Sequence, residues 1–174
     1  MPEDRRKSTL VNISLQMLEA LREMHSRKYV HRDVKPLNFK VKEDNHRVII
    51  TGFDISHHFM KEGRHTHIQS VGCQGSVPFA SINGLNKFNT FRRDDLESLG
   101  YTLMTLMNPE KVPWKDFEED REKTMKIKEA FLASPPPEFL ALHKFIKKAH
   151  DLKYDEEPDY ASFAEILKTI DQDR

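Results

Sequence analysis

Apolar side chains recur at steps of three and four along four separate stretches of this sequence, and strand patterning is confined to a few short pieces. Such steps place the apolar residues of each stretch on one helical stripe. The first stripe is Leu10, Ile13, Met17, Leu21 and Met24, with Leu18 beside them and Ser8 as the expected N-cap. The second is Leu96, Leu99, Leu103 and Leu106 or Met107, stopped by Asn108-Pro109. Phe139, Leu142, Ile146 and Ala149 form the third, and Phe163, Ile166, Leu167 and Ile170, entered through Pro158, form the fourth. A charged segment from about Glu118 to Leu132 is expected to be a further helix lying on the surface. The β-type pieces are Tyr29-Val30, Phe39-Lys40-Val41 and Arg47-Val48-Ile49-Ile50, the last two joined into a hairpin by the turn residues Asp44-Asn45. From Gly52 to Thr90 no period is sustained, and ordered loops of that length are uncommon and usually functional or mobile. The expected fold is mainly α with a small β-hairpin, a single domain over residues 1–174 with residues 1–7 disordered.

Composition narrows the functional classes. A chain of 174 residues has room for one domain, and a 37% hydrophobic content supports a modest core. The 28 basic and 28 acidic side chains cancel, so bulk charge recruits neither nucleic acid nor an anionic membrane, and neither is expected as a partner. No apolar run approaches the ~20 residues that span a bilayer. The opening Met1-Pro-Glu-Asp-Arg-Arg-Lys lacks the apolar stretch of a secretory signal. A single cysteine, Cys73, excludes an internal disulfide and a Cys-rich zinc site. That usage fits a reducing compartment, so a cytoplasmic or nuclear location is expected.

The sharpest local signal is His31-Arg32-Asp33-Val34-Lys35-Pro36-Leu37-Asn38, set between the first helix and the hairpin. An Asp, a Lys two residues on and an Asn five on suit phosphoryl transfer. The Asp accepts the proton of an attacking hydroxyl, the Lys offsets charge on the moving group, and the Asn holds a metal ion. With these residues the chain resembles the protein kinases, and specifically the casein kinase 1 group of Ser/Thr kinases. Leu18-Glu-Ala-Leu-Arg-Glu-Met-His25 leading into Tyr29-Val30-His31 is similar to the helix that enters the kinase catalytic loop. Gly75-Ser76-Val77-Pro78-Phe79-Ala80-Ser81-Ile82-Asn83 resembles that group's Gly-Thr-Ala-Arg-Tyr-Ala-Ser-Ile-Asn, and Arg92-Arg93-Asp94-Asp95-Leu96-Glu97-Ser98-Leu99-Gly100-Tyr101 reads as its signature. Pro113-Trp114 and Asp155-Glu156-Glu157-Pro158-Asp159-Tyr160 complete the match.

The resemblance implies a helical C-terminal kinase lobe, ATP and Mg2+ as cofactors, and a protein substrate or another kinase as partner. By resemblance Asp33 is the catalytic base, Lys35 contacts phosphate, and Asn38 is a metal ligand. Asp95 holds the backbone around His31 and Arg32, and Arg32 pairs with a phosphorylated activation segment across residues 52–90. Thr66, Ser70 and Ser76 are the candidate hydroxyls for that role.

Three departures qualify the resemblance. The family's Asp-Phe-Gly is replaced by Gly52-Phe53-Asp54, so Gly52 stands where a metal-binding Asp belongs. Asp54 is displaced by ~6.6 Å along an extended chain, too far for magnesium ligation near ~2.1 Å. No G-x-G-x-x-G precedes the catalytic loop, so the N-terminal β lobe is expected to be missing. The basic substrate pocket is altered too, with Pro78 for an Arg and a mostly acidic Lys115-Asp116-Phe117-Glu118-Glu119-Asp120 after Trp114. The expected function is a pseudokinase that binds or regulates; the alternative is an active Ser/Thr kinase whose N-terminal lobe lies outside this sequence. With that lobe missing, a contiguous apolar patch near the catalytic loop is expected. His57, His58, His65 and His67 lack a partner at a zinc spacing, Pro135-Pro136-Pro137 reads as a stiff connector, and Trp114 reads as a packing residue.

Overall fold

The computed structural model describes residues 3–43, 46–72 and 74–170. The first stripe builds the long helix α1 (Glu3–Ser26), with Met17 and Leu21 fully buried and Leu10 and Ile13 packed against the same core. The helix begins at Glu3 and not after Ser8, so residues 3–7 are helical where disorder was expected; Met1 and Pro2 lie outside the described residues. That stretch contains no helix breaker, and extending a nucleated helix costs far less than starting one.

Strand β1 (Tyr29–Val30) follows α1, and β2 (Phe39–Val41) pairs antiparallel with β3 (Val48–Ile50), Lys40 opposite Ile49. The expected Asp44-Asn45 turn lies outside the described residues. The segment from Gly52 to Thr90 holds more structure than its sequence shows. Strand β4 (His57–His58) pairs antiparallel with β1, and β5 (Met60–Lys61) pairs with β6 (Arg64–His65). Glu62 and Gly63 between them have φ of 52° and 76°, the two positive angles of a type I′ hairpin turn. Helix α2 (Ile82–Leu85) is capped by Ser81, whose Oγ accepts from the Gly84 N–H at 3.0 Å. Strands of two residues are too short to display a period of two, which is why the sequence pattern misses them.

The second stripe becomes the central helix α3 (Arg92–Met107), with Leu96, Leu99, Leu103 and Met104 buried and Asn108-Pro109 ending it. Helix α4 (Arg121–Ala133), capped by Asp120, does not simply lie on the surface: Thr124, Lys128 and Phe131 are buried. These sit at i, i+4 and i+7, but a Thr and a Lys on the inner stripe hide it from a hydrophobicity pattern. Helices α5 (Leu140–Asp151) and α6 (Tyr160–Lys168) complete the fold, with Phe145 and Phe163 edge to face at 4.9 Å. Pro136 caps a short 3-10 turn, Pro137–Phe139, that carries the chain from α4 into α5. Trp114 is buried between Tyr101 and Phe131 and donates from Nε1 to the Pro78 carbonyl at 2.9 Å. The fold is mainly α with small β-hairpins. Among the described residues no helix is long and apolar enough to cross a membrane.

Candidate active site

The loop from His31 to Asn38 leaves β1 and enters β2 through a 3-10 turn that starts on Pro36, where a missing N–H costs nothing. Its foundation is Asp95, buried in the first turn of α3. Asp95 Oδ2 accepts from the His31 N–H at 2.6 Å and Oδ1 from the Arg32 N–H at 2.9 Å, while His25 Nε2 lies 2.8 Å from Oδ2. Burial alone would raise the Asp95 carboxyl; the His25 ring and the His31 N–H outweigh it and hold the group below the ordinary carboxylate value. These charge-assisted bonds help hold Arg32 at φ 73°, a left-handed conformation that costs a non-glycine residue roughly 1–2 kcal/mol.

Asp33 is enclosed on both oxygens. Oδ1 accepts from the Ser76 N–H at 3.0 Å and from Ser76 Oγ at 2.9 Å. Oδ2 lies 2.7 Å from Lys35 Nζ and 3.2 Å from Asn38 Nδ2. Lys35 also donates to Ser76 Oγ at 2.9 Å. Partial burial pushes Asp33 up, but Lys35 and Ser76 together pull it below its ordinary value, so the carboxylate is ionised at neutral pH. Gly75 permits this closure, because a Cβ there would stand 2.5 Å from the Arg32 carbonyl oxygen. His31 accepts from the Asp33 N–H on Nδ1 at 3.2 Å, so its Nε2 carries the proton donated to the Thr51 carbonyl at 2.8 Å.

Gly52 has a φ of 78°, and a Cβ at this position would fall 2.4 Å from Asn38 Oδ1 and 2.8 Å from Nδ2. The Asn38 amide therefore fills the space of a side chain at 52. It is turned toward Asp33, donating from Nδ2 to the Asp33 carbonyl at 2.7 Å. Of the two side chains that the resemblance supplies for a metal, one is absent and the other offers a single amide oxygen. Asp54 is exposed in the turn that follows. Among the described residues no cluster of three or more His, Cys, Asp or Glu is placed to hold a metal, the histidines of the 57–67 segment included. Magnesium is ordinarily held by one or two carboxylates together with phosphate oxygens and water. Position 52 supplies no carboxylate and Asp33, the carboxylate beside Asn38, is bonded to Lys35 and Ser76, so the residues present do not fit a magnesium ion.

The family model described as Protein kinase domain matches residues 4–168. This chain belongs to the protein kinase family. A solved structure of vaccinia related kinase 3 superposes with a TM-score of 0.83 at 25% identity, over 96% of this chain and 56% of that one. The kinase domain described here thus spans little more than half the length of that relative. The family generally uses ATP and Mg2+ and acts on protein substrates.

Several residues that support this kinase site carry no sequence signal of their own. Lys128 is fully buried, donates to the carbonyls of Val77 at 3.2 Å and Ala80 at 2.7 Å, and lies over the Tyr101 ring at 4.2 Å. It fixes the stretch that follows Ser76. Glu97 accepts from the Ile82 N–H at 2.8 Å and from the Tyr101 hydroxyl at 2.9 Å, tying α2 to α3. Ser76, a candidate hydroxyl for phosphorylation, is committed to Asp33 and Lys35, while Thr66 Oγ1 donates to the Phe59 carbonyl at 3.3 Å. Ser70 stays exposed, in a β-bridge with Phe88. Arg32 keeps a buried Nε with no hydrogen-bond partner.

Asp94 accepts from the Phe91 N–H and from Ser81 Oγ, each at 2.8 Å. Full burial pushes its carboxyl up to about 6, against the pull of Arg93. A folded-state value above the unfolded one favours the folded protein below about pH 4, and that contribution disappears as pH rises through about 6. Asp94→Asn keeps an acceptor for Phe91 and removes the titration. Its stability relative to wild type is expected to improve steadily from pH 4 to pH 6 and then level off in urea denaturation. A difference constant across that range would contradict the assignment.

A groove of about 700 Å³ runs between α1 and β3 beside this site, floored by Ala20, Met24, Val48, Ile50 and Phe53 and edged by Glu23 and Arg47. Phe53, at the near end, is 51% exposed. The apolar surface expected near the catalytic loop therefore takes the form of a groove.

Proposed function

We propose that this chain is a casein kinase 1-like Ser/Thr kinase lobe that works as a binding or regulatory module, docking a protein substrate or another kinase. The observation that carries this reading is the Asn38 amide standing where a side chain at position 52 would be. Asp33, Lys35 and Asn38 then brace one another, with His31, Arg32 and Asp95 behind them. The apolar groove beside the loop supports a docking role, since exposed apolar concavities commonly mark interaction sites. The acidic residues after Trp114 and Pro78 in the substrate-facing segment speak against the group's preference for acidic substrates.

A second reading, an active Ser/Thr kinase with its N-terminal lobe outside this sequence, draws on one observation. Asp33 is ionised and faces Lys35, as a base for a substrate hydroxyl requires. Thermal unfolding with ATP, with and without magnesium, separates the two. The binding module is expected to show no magnesium-dependent rise in melting temperature; a rise that is lost in Asn38→Ala would establish the second reading. Restoring the acid by Gly52→Asp is expected to destabilise the fold by about 1–3 kcal/mol, from the left-handed backbone and the contact with Asn38. For the docking role, a pull-down that recovers neither a kinase nor a substrate protein would count against it.

A further inference from the structure

The Asp155–Tyr160 segment takes part in the resemblance yet has no place in the site chemistry. In the fold it packs against Arg92 at the start of α3 and His25 near the end of α1. Tyr160, at the start of α6, points its hydroxyl at His25 Nδ1 at 2.7 Å, and His25 Nε2 meets Asp95 Oδ2 at 2.8 Å. Asp95 in turn holds the N–H groups of His31 and Arg32. His25 and Asp95 are each 1% exposed, so solvent does not stand in for a partner lost between them, and Tyr160 at the outer end is partly buried.

We propose that Tyr160 is a positioning residue of the catalytic loop, acting through His25 and Asp95. The protonation logic is fixed at one end. Asp95 is ionised and only accepts, so His25 Nε2 carries the ring proton. In the neutral ring Nδ1 is then an acceptor, and the Tyr160 hydroxyl donates to it. Burial pushes the Tyr160 phenol up, so it stays a donor at all ordinary pH. The hydroxyl selects the tautomer in which His25 donates to Asp95, and so keeps both carboxylate oxygens aimed at the loop. The same segment grips the activation segment through Arg92, which pairs with Glu157, donates to the Asp155 carbonyl at 2.9 Å, and lies over the Phe59 ring at 4.9 Å. The proposal holds whether or not the site transfers phosphoryl groups, because the loop that Tyr160 positions is the same in both readings.

Two measurements test it. In the wild-type protein, nitrogen-15 NMR of His25 is expected to show protonated Nε2 and unprotonated Nδ1; a ring protonated on Nδ1 overturns the proposal without any variant. In Tyr160→Phe, which removes only the hydroxyl, the His31 and Arg32 amides are expected to exchange with deuterium about tenfold faster. Amides of the α5 core, Phe145 and Ile146, should keep their wild-type rates. Uniform acceleration of all amides would reduce Tyr160 to general packing, and unchanged rates at His31 and Arg32 would remove it from the loop altogether. In a His25→Gln background the same substitution is expected to add nothing, since the relay is already cut; an undiminished effect there would also overturn the proposal.

Discussion

Replacing Asp95 with alanine is expected to lower the unfolding free energy by about 3–5 kcal/mol. The substitution leaves the His31 and Arg32 N–H groups and the His25 ring without their shared acceptor, at a place where His25 and His31 are buried and Arg32 is partly so. Each orphaned donor carries a desolvation cost of roughly 1–3 kcal/mol, and Arg32 loses the bonds that help hold its left-handed backbone. Asp95→Asn retains one carbonyl oxygen and is expected to lose less, because one of the two loop amides keeps an acceptor. Urea denaturation of both variants checks the order. A loss below about 1 kcal/mol in the alanine variant would mean that the loop stands without this clamp.

Lys128→Ala is expected to cost a similar amount, about 3–5 kcal/mol, through a different cause. Truncation opens a cavity under Tyr101 and Trp114 and strips the Val77 and Ala80 carbonyls of their donor. Trp114 is the sole tryptophan and is bonded to Pro78 in the same stretch, so its emission reports the change locally. A red-shifted emission with a lowered urea midpoint is expected. Lys128→Met refills the volume without serving the carbonyls and should fall between. An alanine variant with wild-type emission and midpoint would show that the lysine is not the anchor of the Val77–Ala80 stretch.

The helical part of the fold was legible because its stripes are apolar: Leu96, Leu99 and Leu103 spell α3, and Leu142 and Ile146 spell α5. Helix α4 was half legible, since its inner stripe contains Thr124 and Lys128, which a hydrophobic period cannot register. The hairpin at Glu62-Gly63 and the β1–β4 pairing escaped because two residues cannot show alternation. At the site, the substitution at Gly52 was plain from its neighbours in sequence. Its consequence was not, because only the fold brings the Asn38 amide into the vacated volume. The same holds for Ser76 and Tyr160, each far in sequence from the group it serves. A short motif names the groups that meet a loop, while the residues that hold the loop in place come from distant helices.

Manganese titrated into nitrogen-15-labelled protein in the presence of ATP probes the metal site at Asn38 and Gly52 most directly. With Asn38 folded over Gly52 and bonded to Asp33, the side-chain amide of Asn38 and the backbone amides of Asp33 and Gly52 are expected to keep their intensities at one molar equivalent of the ion. Selective paramagnetic broadening of those three resonances, abolished by Asn38→Ala at the remaining two, would contradict the reading and restore this loop as a metal site.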